Sequence, residues 1–305
     1  MKEQCIKTIN LSKKYGKTLA LNQVNINVET NDIYGLIGRN GAGKTTLLKI
    51  LSKQIVQFSG SFEIFDENIS KDEQDLRIGS IIESPGLYPS LTAYENLELK
   101  CIAMGIRRKN YVEDLLELVE LSAVHNRKVK KFSLGMKQRL SLAMALVGEP
   151  DILLLDEPTN GMDPQGISEF RQLILSLNRE RNITIVISSH ILSELSKMVS
   201  KIGIIHEGNL LKEISKTDLL EENRDRLILK GNNLNEIIAF LEENLSISNF
   251  VVVSDREIEI YDFLDKPEYI SHNLIKNGIL FDTFEYKENS LEEYYIKLTG
   301  GSKNA

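Results

Sequence analysis

The sequence predicts an α/β fold, in which a large domain with a mixed sheet and a helical insert precedes a small α+β domain. Two largely apolar runs, at residues 152–155 and 183–187, are typical of buried parallel strands, since Thr184 is the single polar residue among them. A glycine-rich segment at residues 38–45 separates an apolar strand from a helix. The chain of 305 residues exceeds the roughly 250 residues at which single cores stop growing, so two domains are expected, at 1–220 and 221–305.

The elements of the large domain begin with strands that alternate polar and apolar residues. Residues 5–9 and 20–28 show this period of two and predict a hairpin-rich sheet. A helical insert is expected at about residues 84–145, where leucines recur at helical spacing. The other expected elements are a helix at 45–52 and strands at 31–37, 60–65, 78–83, 152–155, 183–187, 202–205 and 208–211.

The small domain has a different order of elements, which predicts the split arrangement βαββαβ. A last helix is expected after these six elements, at residues 290–297. The six are a strand at 226–230, a helix at 233–244, strands at 250–254 and 257–261, a helix at 266–276 and a strand at 279–286.

The charge of the chain is unevenly distributed. The net charge is -7, and residues 221–305 hold 9 Lys and Arg against 17 Asp and Glu, which leaves 28 against 27 for residues 1–220. An acidic domain repels phosphate backbones, and neither half shows a basic stripe with interleaved aromatic residues. We therefore expect no nucleic-acid partner.

Composition also predicts the compartment. No stretch approaches 18 uncharged apolar residues and the N-terminus lacks a signal-peptide core, so we expect a cytoplasmic protein. Cys5 and Cys101 have no Cys or His at ligand spacing, which fits a reducing compartment and argues against a metal cluster.

The segment 38–45 follows the pattern G-x-x-x-x-G-K-[ST], which predicts a phosphate-binding loop. Its glycines let successive backbone N–H groups point at a β-phosphate, Lys44 reaches the β- and γ-oxygens, and the Thr45 hydroxyl is a ligand for Mg²⁺. The alternative is a glycine turn with an exposed lysine. The residues predicted to bind ATP here are Gly38, Asn40, Gly41, Ala42, Gly43, Lys44, Thr45 and Thr46.

Two carboxylates follow the apolar strand at residues 152–155. Asp156 is predicted to hold Mg²⁺ directly or through water. Glu157 is predicted to orient and deprotonate the water that attacks the γ-phosphate. The alternative is a solvated acidic turn.

Together with these motifs, further segments resemble those of the ATP-binding cassette (ABC) ATPases. Residues 132–139 are similar to the signature loop of that family, although they depart from Leu-Ser-Gly-Gly-Gln at three positions and keep Ser133 and Gly135. The resemblance implies that this helix start is offered to the γ-phosphate held by a second subunit. A plain helix N-cap at Ser133 is the alternative. Asp163 corresponds to the dimer-contact loop of the family.

The same resemblance assigns two aromatic residues to the nucleotide. His190, at the end of a buried strand, resembles the switch histidine that contacts the γ-phosphate, whereas His125, His206 and His272 are interpreted as structural or solvated. Tyr15 resembles the aromatic residue that stacks on adenine, and a core aromatic is the alternative.

One departure from the family concerns the residue that usually is glutamine. This chain has Glu83, which can still ligate Mg²⁺ and brings a negative charge, and its loop is the one that couples to the membrane partner in the family. Glu83, the loop at residues 84–92 and the acidic segment 290–295 are similar to the bacitracin-export and lantibiotic-immunity branch.

The resemblance implies an ATP-hydrolysing subunit on the inner face of the cell membrane. It is expected to form a head-to-tail dimer with a second copy or a close relative, to sandwich two Mg-ATP and to drive export of a peptide antibiotic or related hydrophobic compound through separate membrane subunits. The alternatives are a nucleotide-sensing regulatory module without turnover, an ABC ATPase for a different cargo and a cassette that works on ribosomes or DNA.

Overall fold

The computed structural model describes residues 3–65, 67–68, 78–83, 86–288 and 291–300. The chain forms two compact units, of which the first comprises the described residues of Met1–Lys216 and Tyr295–Ala305 and the second comprises those of Thr217–Tyr294. The sequence pattern predicts this division four residues later, after residue 220, and predicts that the chain end belongs to the small domain.

The strands of the first unit form an antiparallel sheet and a central mixed sheet. The antiparallel sheet has the order β2-β1-β5-β6, and β3 also pairs with β1. The central sheet has the order β11-β10-β4-β9-β8-β7. The strands are β1 (Gln4–Tyr15), β2 (Thr18–Val24), β3 (Asn27–Glu29), β4 (Ile33–Ile37), β5 (Ser59–Ile64), β6 (Glu67–Asn68), β7 (Ile78–Ile81), β8 (Ile152–Leu155), β9 (Thr184–Ser189), β10 (Lys201–His206) and β11 (Asn209–Ser215).

The central sheet is parallel except at one edge, where β11 pairs antiparallel with β10. Strands β4 and β8 are buried along their whole length, as their unbroken apolar sequences predict. Because parallel strands end at the same edge, the residues that follow β4, β7, β8 and β9 meet there.

The first helix, α1, follows β4 and contributes to the core of the first unit. Helix α1 packs through Leu47, Leu48 and Leu51 into a core that also holds Leu36 of β4 and Leu154 of β8. The α-helices that begin in the first unit are α1 (Lys44–Leu51), α2 (Ala93–Ala103), α3 (Tyr111–Leu118), α4 (Leu134–Leu146), α5 (Pro164–Arg181), α6 (Leu192–Leu195) and α7 (Lys216–Glu222), of which α7 begins at the last residue of the first unit and continues into the second. Helices α2, α3 and all but the last residue of α4 lie within the predicted helical insert. Strands alternate with helices along this unit, so the α/β fold class is confirmed.

One sequence prediction in this unit is wrong. Residues 20–28 were expected to form a single strand, but the structure divides them between β2 and β3. Gln23 has a left-handed backbone with φ of 49°, and the side-chain amide of Asn25 donates to the Gln23 carbonyl at 2.8 Å. This local turn breaks the extended backbone, since side-chain amides compete with strand pairing.

The second unit is a sheet with two helices packed on one of its faces. Its strands have the order β13-β14-β12-β15 and all pair antiparallel, which places the last strand beside the first. Leu227, Ile258, Phe240 and Ile270 contribute to its own hydrophobic core. The elements are β12 (Arg226–Lys230), α8 (Leu234–Leu245), β13 (Phe250–Ser254), β14 (Glu257–Ile260), α9 (Pro267–Lys276) and β15 (Thr283–Lys287).

A final helix, α10 (Leu291–Leu298), follows these elements; Ser290, its predicted first residue, lies outside the described residues. Across the part of the chain that the structure describes, no helix combines the length and the apolar character needed to cross a bilayer.

Candidate active site

The predicted phosphate-binding loop connects β4 to α1. Gly43 has a φ of 112°, and a Cβ atom there would lie 2.5 Å from the carbonyl oxygen of Ala20, so both the backbone conformation and the space require glycine. The other predicted residues lie in the loop and in the first turn of α1, and these are Gly38, Asn40, Gly41 and Ala42 in the loop and Thr45 and Thr46 in the helix.

The Lys44 side chain folds back over this loop. Its Nζ donates to the carbonyl oxygens of Gly38 at 2.6 Å and Arg39 at 3.3 Å, and it lies 3.0 Å from Glu157 Oε1. The side chain is only 5% exposed. The ammonium group therefore lies inside the loop and already contacts the carboxylate that the sequence predicts to be the base.

A chain of hydrogen bonds joins α1 to the ends of β8 and β9. The Thr45 hydroxyl donates to Asp156 Oδ2 at 2.7 Å, and the Ser188 hydroxyl donates to Asp156 Oδ1 at 2.6 Å. The backbone N–H of Glu157 donates in turn to Ser188 Oγ at 2.9 Å. Both oxygens of Asp156 are thus fixed, which holds its carboxylate facing Thr45.

Glu157 lies between two of the predicted site residues. Its Oε1 faces Lys44, and its Oε2 lies 2.7 Å from His190 Nδ1. Its φ of 46° is left-handed, which is uncommon outside glycine and asparagine and is concentrated at functional sites. The fold thus brings Lys44, Glu157 and His190 into direct contact.

Thr45 and Asp156 could hold a divalent cation. Both offer oxygen atoms, which Mg²⁺ prefers, and they already lie within hydrogen-bond distance of each other. Among the described residues, no group of three or more His, Cys, Asp or Glu could hold a metal ion. This donor set fits Mg²⁺ that arrives with a nucleotide, since Mg²⁺ is usually bound through one or two carboxylates plus substrate phosphates.

Glu83 lies near this edge of the sheet but contacts a different residue. Its Oε1 is 2.5 Å from Nζ of Lys49, and the Glu83 side chain is 64% exposed. The described hydrogen bonds and ion pairs do not include a contact between Glu83 and Asp156 or Thr45. The following residues Ser84 and Pro85 lie outside the described residues.

The predicted dimer-contact residues lie in a second concavity. Ser133, Gly135 and Asp163 line it, and none of its lining residues lines the concavity at the phosphate loop. Ser133 is the N-cap of α4 and accepts from Met136 N at 3.3 Å, and Asp163 caps α5 by accepting from Gly166 N at 3.1 Å. Within one chain, these residues are therefore not part of the Lys44 site.

The predicted adenine-stacking residue lies in a surface hairpin. Tyr15 ends β1, pairs with Thr18 and is 48% exposed, which rules out the alternative of a core aromatic. The ammonium of Lys13 lies 4.9 Å from the centre of its ring. The ring is held at the surface and presents a face to solvent.

The remaining histidines differ in their surroundings. His125 Nδ1 lies 2.6 Å from the Ser122 carbonyl and His272 is exposed, whereas His206 lines the same concavity as Asn40 and His190.

Both cysteines are buried and free, and burial raises the pKa of Cys5 to about 11. Its thiol is therefore protonated at neutral pH.

Sequence reasoning missed three contacts at the site. Ser188 lies near the end of β9, two residues before His190, and a buried serine beside the apolar run at residues 185–187 was a signal for a polar neighbour. Lys49 lies four residues after Thr45, which puts both on one face of α1. Tyr295 accepts a hydrogen bond from Arg39 N at 3.1 Å, and nothing in the sequence pattern indicates that contact.

The sequence of this chain is similar to those of known proteins. Residues 21–160 match the family described as ABC transporter. The chain is 47% identical over 298 residues to the bacitracin transport ATP-binding protein BcrA of Bacillus licheniformis, and the alignment covers 97% of both chains. It is 46% identical over 227 residues to the lantibiotic transport ATP-binding protein SrtF of Streptococcus pyogenes, which covers 73% of this chain and 97% of the relative.

A solved structure supports the same relationship. The dimeric post-hydrolysis structure of the ATP-binding cassette MJ0796, bound to ADP and Pi, has a TM-score of 0.62 and 27% identity, and covers 69% of this chain and 98% of that one. The resemblance and the fold class predicted from the sequence are thereby confirmed.

Proposed function

Because the chain belongs to the ATP-binding cassette ATPases of ABC transporters, we propose that it powers export of a peptide antibiotic or related hydrophobic compound through separate membrane subunits. The observation that carries this proposal is the 47% identity to a bacitracin transport ATP-binding protein over 97% of both chains. The hydrogen-bonded arrangement of Lys44, Thr45, Asp156, Glu157 and His190 supports turnover of ATP at this site.

Binding of the triphosphate exchanges the contacts of Lys44. Its ammonium group leaves the Gly38 carbonyl and Glu157 for the β- and γ-oxygens, which carry more negative charge. Glu157 then loses its cationic neighbour and is free to accept a hydrogen bond from the attacking water. His190 keeps the other carboxylate oxygen oriented, so the base retains its position during the exchange.

Thr45 and Asp156 would hold Mg²⁺, with Glu83 as a third ligand. The ion neutralises charge on the β- and γ-oxygens when it is bound. Ser188 keeps Asp156 facing Thr45.

The second concavity completes the site of a second subunit. Ser133 and Gly135 at the start of α4 present a helix N-terminus, which favours an anion, and Asp163 lies beside them. Because one chain separates these residues from its own Lys44 site, a head-to-tail dimer of two copies would form two composite ATP sites. Tyr15 would stack on the adenine of the nucleotide.

Membrane subunits would contact a groove between the central sheet and the helical insert. The groove is lined by Ser80 and Ile82 within and after β7, by the exposed side chains of Tyr88 and Leu99, and by Met144 of α4. It begins at the loop that holds Glu83, so a partner in the groove can respond to movement at the nucleotide. The protein would thus be peripheral on the inner face of the cell membrane.

The two relatives differ in how much of this chain they match. The alignment with SrtF covers 97% of that relative but only 73% of this chain, so SrtF is too short to contain a counterpart of the whole second unit. The alignment with BcrA covers 298 residues and therefore includes most of Thr217–Tyr294. A different cargo for the same ATPase remains the alternative proposal.

Turnover is tested by phosphate release from the purified protein, alone and with its membrane subunits. Glu157→Gln should lower the turnover number at least about 100-fold, the lower limit for loss of a general base, while ATP binding is retained. ATP binding without turnover in the parent protein, even beside its membrane subunits, would instead support the nucleotide-sensing alternative.

The identity of the cargo is tested by deleting the gene in the organism that carries it. We expect greater sensitivity to bacitracin-type peptides, and a plasmid copy that carries Glu157→Gln should fail to restore resistance. Unchanged sensitivity combined with altered uptake of a nutrient would contradict export of an antibiotic.

A further inference from the structure

The ion pair between Glu83 and Lys49 joins a loop to the helix that follows the phosphate-binding segment. The two residues are 34 positions apart, and Glu83 Oε1 lies 2.5 Å from Lys49 Nζ. Glu83 has a left-handed backbone with φ of 62°, a conformation that is uncommon for residues other than glycine. The pair therefore fixes the side chain of a residue whose backbone is already constrained.

Lys49 lies on the same helix, α1, as the predicted metal ligand Thr45. Thr45 and Lys49 are four residues apart, so they lie on one face of the helix, about one 5.4 Å turn from each other. Asp156 N donates to the carbonyl of Ile81 at 2.8 Å, which puts the end of β7 beside Asp156. Glu83 follows Ile81 by two residues, so it lies in the chain segment that leaves β7 next to Asp156.

Two other carboxylates, those of Asp156 and Glu157, lie at the same edge of the sheet as Glu83. Asp156 accepts hydrogen bonds from two hydroxyl groups, and Glu157 contacts Lys44 and His190. A third carboxylate that approaches these two, and the phosphates that the site is proposed to bind, is repelled by them, and a cation beside it reduces this repulsion. Lys49 is the cation that contacts Glu83 in the structure.

We infer that Lys49 is a positioning residue that holds the Glu83 side chain at α1, away from Thr45 and Asp156, until the nucleotide and its metal bind. Glu83 would then leave Lys49 and serve as a ligand of the bound metal. An ion pair as exposed as this one is weak, so a divalent cation can displace it. The inference rests on the proposed role of Glu83 as a metal ligand.

The test is the affinity of the full-length protein for Mn²⁺ in the presence of a non-hydrolysable ATP analogue, measured from the spin-resonance signal of free Mn²⁺. Lys49→Met removes the competitor for Glu83 and should tighten Mn²⁺ binding about two- to fivefold, the range that exposed ion pairs span. The same substitution in a Glu83→Gln protein should have no such effect. The Lys49→Arg protein keeps the charge and should bind Mn²⁺ as tightly as the parent does. The Lys109→Met protein loses a lysine at an exposed site in the loop before α3, and its Mn²⁺ affinity should also equal that of the parent.

A second measurement needs neither metal nor nucleotide. Amide hydrogen exchange at residues 81–83 should become faster in Lys49→Met and in Glu83→Gln, because each removes the ion pair. If Lys49→Met changes the Mn²⁺ affinity of the parent and of the Glu83→Gln protein equally, the positioning role is overturned. If amide exchange at residues 81–83 becomes faster but Glu83→Gln leaves the Mn²⁺ affinity unchanged, the transfer to the metal and the proposed ligand role of Glu83 are both wrong. The proposal that Glu157 supports ATP turnover would still stand.

Discussion

At the scale of single residues, the orientation of Asp156 depends on a serine. The hydroxyl of Ser188 donates to Asp156 and accepts from the backbone N–H of Glu157, so one side chain holds the Asp156 carboxylate and the Glu157 backbone. Alanine at this position would leave an oxygen of Asp156 and the N–H of Glu157 without this partner. Water can replace a hydroxyl as a donor, but it does not hold the carboxylate in one rotamer.

We therefore expect Ser188→Ala to lower the turnover number for ATP about 10- to 100-fold while the KM for ATP changes less than about threefold. Lys44 and the loop amides, which would bind the phosphates, do not contact Ser188. Steady-state phosphate release at several ATP concentrations measures both constants. Ser196→Ala, which removes another buried serine hydroxyl away from this site, is the matched control. Equal changes in the two serine variants would show that the effect is one of folding.

The phosphate-binding loop gives a second prediction at this scale. Gly43→Ala places a Cβ atom 2.5 Å from the Ala20 carbonyl and imposes a φ of 112° on alanine, whereas Gly41→Ala has a φ of 81° but open space around the Cβ. We expect Gly43→Ala to lower the urea midpoint clearly more than Gly41→Ala, for which backbone strain alone costs about 1 kcal/mol or somewhat more. ATP binding should be lost in Gly43→Ala. Equal midpoints for the two variants would contradict the close approach of Ala20.

The site was predictable from the sequence where its chemistry is local. Lys44 and Thr45 follow each other in one motif, and Asp156 and Glu157 end one apolar strand. The contact of Lys49 with Glu83 joins residues far apart in sequence, so it depends on the tertiary path of the loop after β7. Sequence patterns describe neighbours along an element, and they do not give the direction of a side chain between elements.

At the scale of elements, the start of α2 is held by a reciprocal pair of hydrogen bonds. Thr92 Oγ1 accepts from Glu95 N at 3.1 Å, and Thr92 N donates to Glu95 Oε2 at 2.7 Å. This capping box satisfies two backbone donors that the helix itself cannot satisfy. It fixes where the helical insert begins, directly after the loop that lines the groove for the proposed membrane partner.

Thr92→Ala should lower the free energy of unfolding by about 1 kcal/mol, because the N-cap acceptor is lost. Thr92→Ser keeps the hydroxyl and should remain close to the parent. Urea unfolding followed by circular dichroism measures both variants. A stability of Thr92→Ala equal to that of the parent would show that solvent satisfies the free N–H groups equally well.

The capping box also predicts a dependence on pH. The hydrogen bonds from the backbone and side chain of Thr92 lower the pKa of Glu95 below its ordinary value. Since the folded pKa is lowered, the charged carboxylate stabilises the fold above the ordinary carboxyl pKa, and this stabilisation is lost as the pH falls through the lowered pKa. The urea midpoint of the parent should exceed that of Glu95→Gln at pH 7, and the difference should shrink as the solution is acidified. A difference that is constant with pH would contradict this account.

Elements were predictable where short, largely apolar runs rich in β-branched or aliphatic residues indicate a buried strand, as for β4, β8 and β9. The break between β2 and β3 was missed, because it arises from a turn at Gln23 and from hydrogen bonds between Asn25 and Asn10. The alternating pattern of residues 20–28 continues through that turn. A polar side chain that bonds to a neighbouring strand can therefore redirect the backbone without changing the apolar period.

At the scale of the whole molecule, the chain has separate hydrophobic clusters. One contains Leu36, Leu47 and Leu154 of the first unit, and the other contains Leu229 and Ile258 of the second unit. A cluster that draws its members from one stretch of chain can form without the rest of the protein. The second unit also completes a sheet with two helices from its own residues, as a domain must.

We therefore expect the fragment of residues 217–294 to fold by itself, since domains of about 55–65 residues can already do so. Its circular dichroism should show helix and strand together, and urea should unfold it in one sigmoidal transition. Ile258→Asp, which puts a charge into the core of this fragment, should abolish that transition, whereas the exposed substitution Val252→Thr should preserve it. A fragment that lacks a cooperative transition would show that the core of the second unit depends on the cassette, and the role of this unit would then have to be sought in its contribution to ATP turnover.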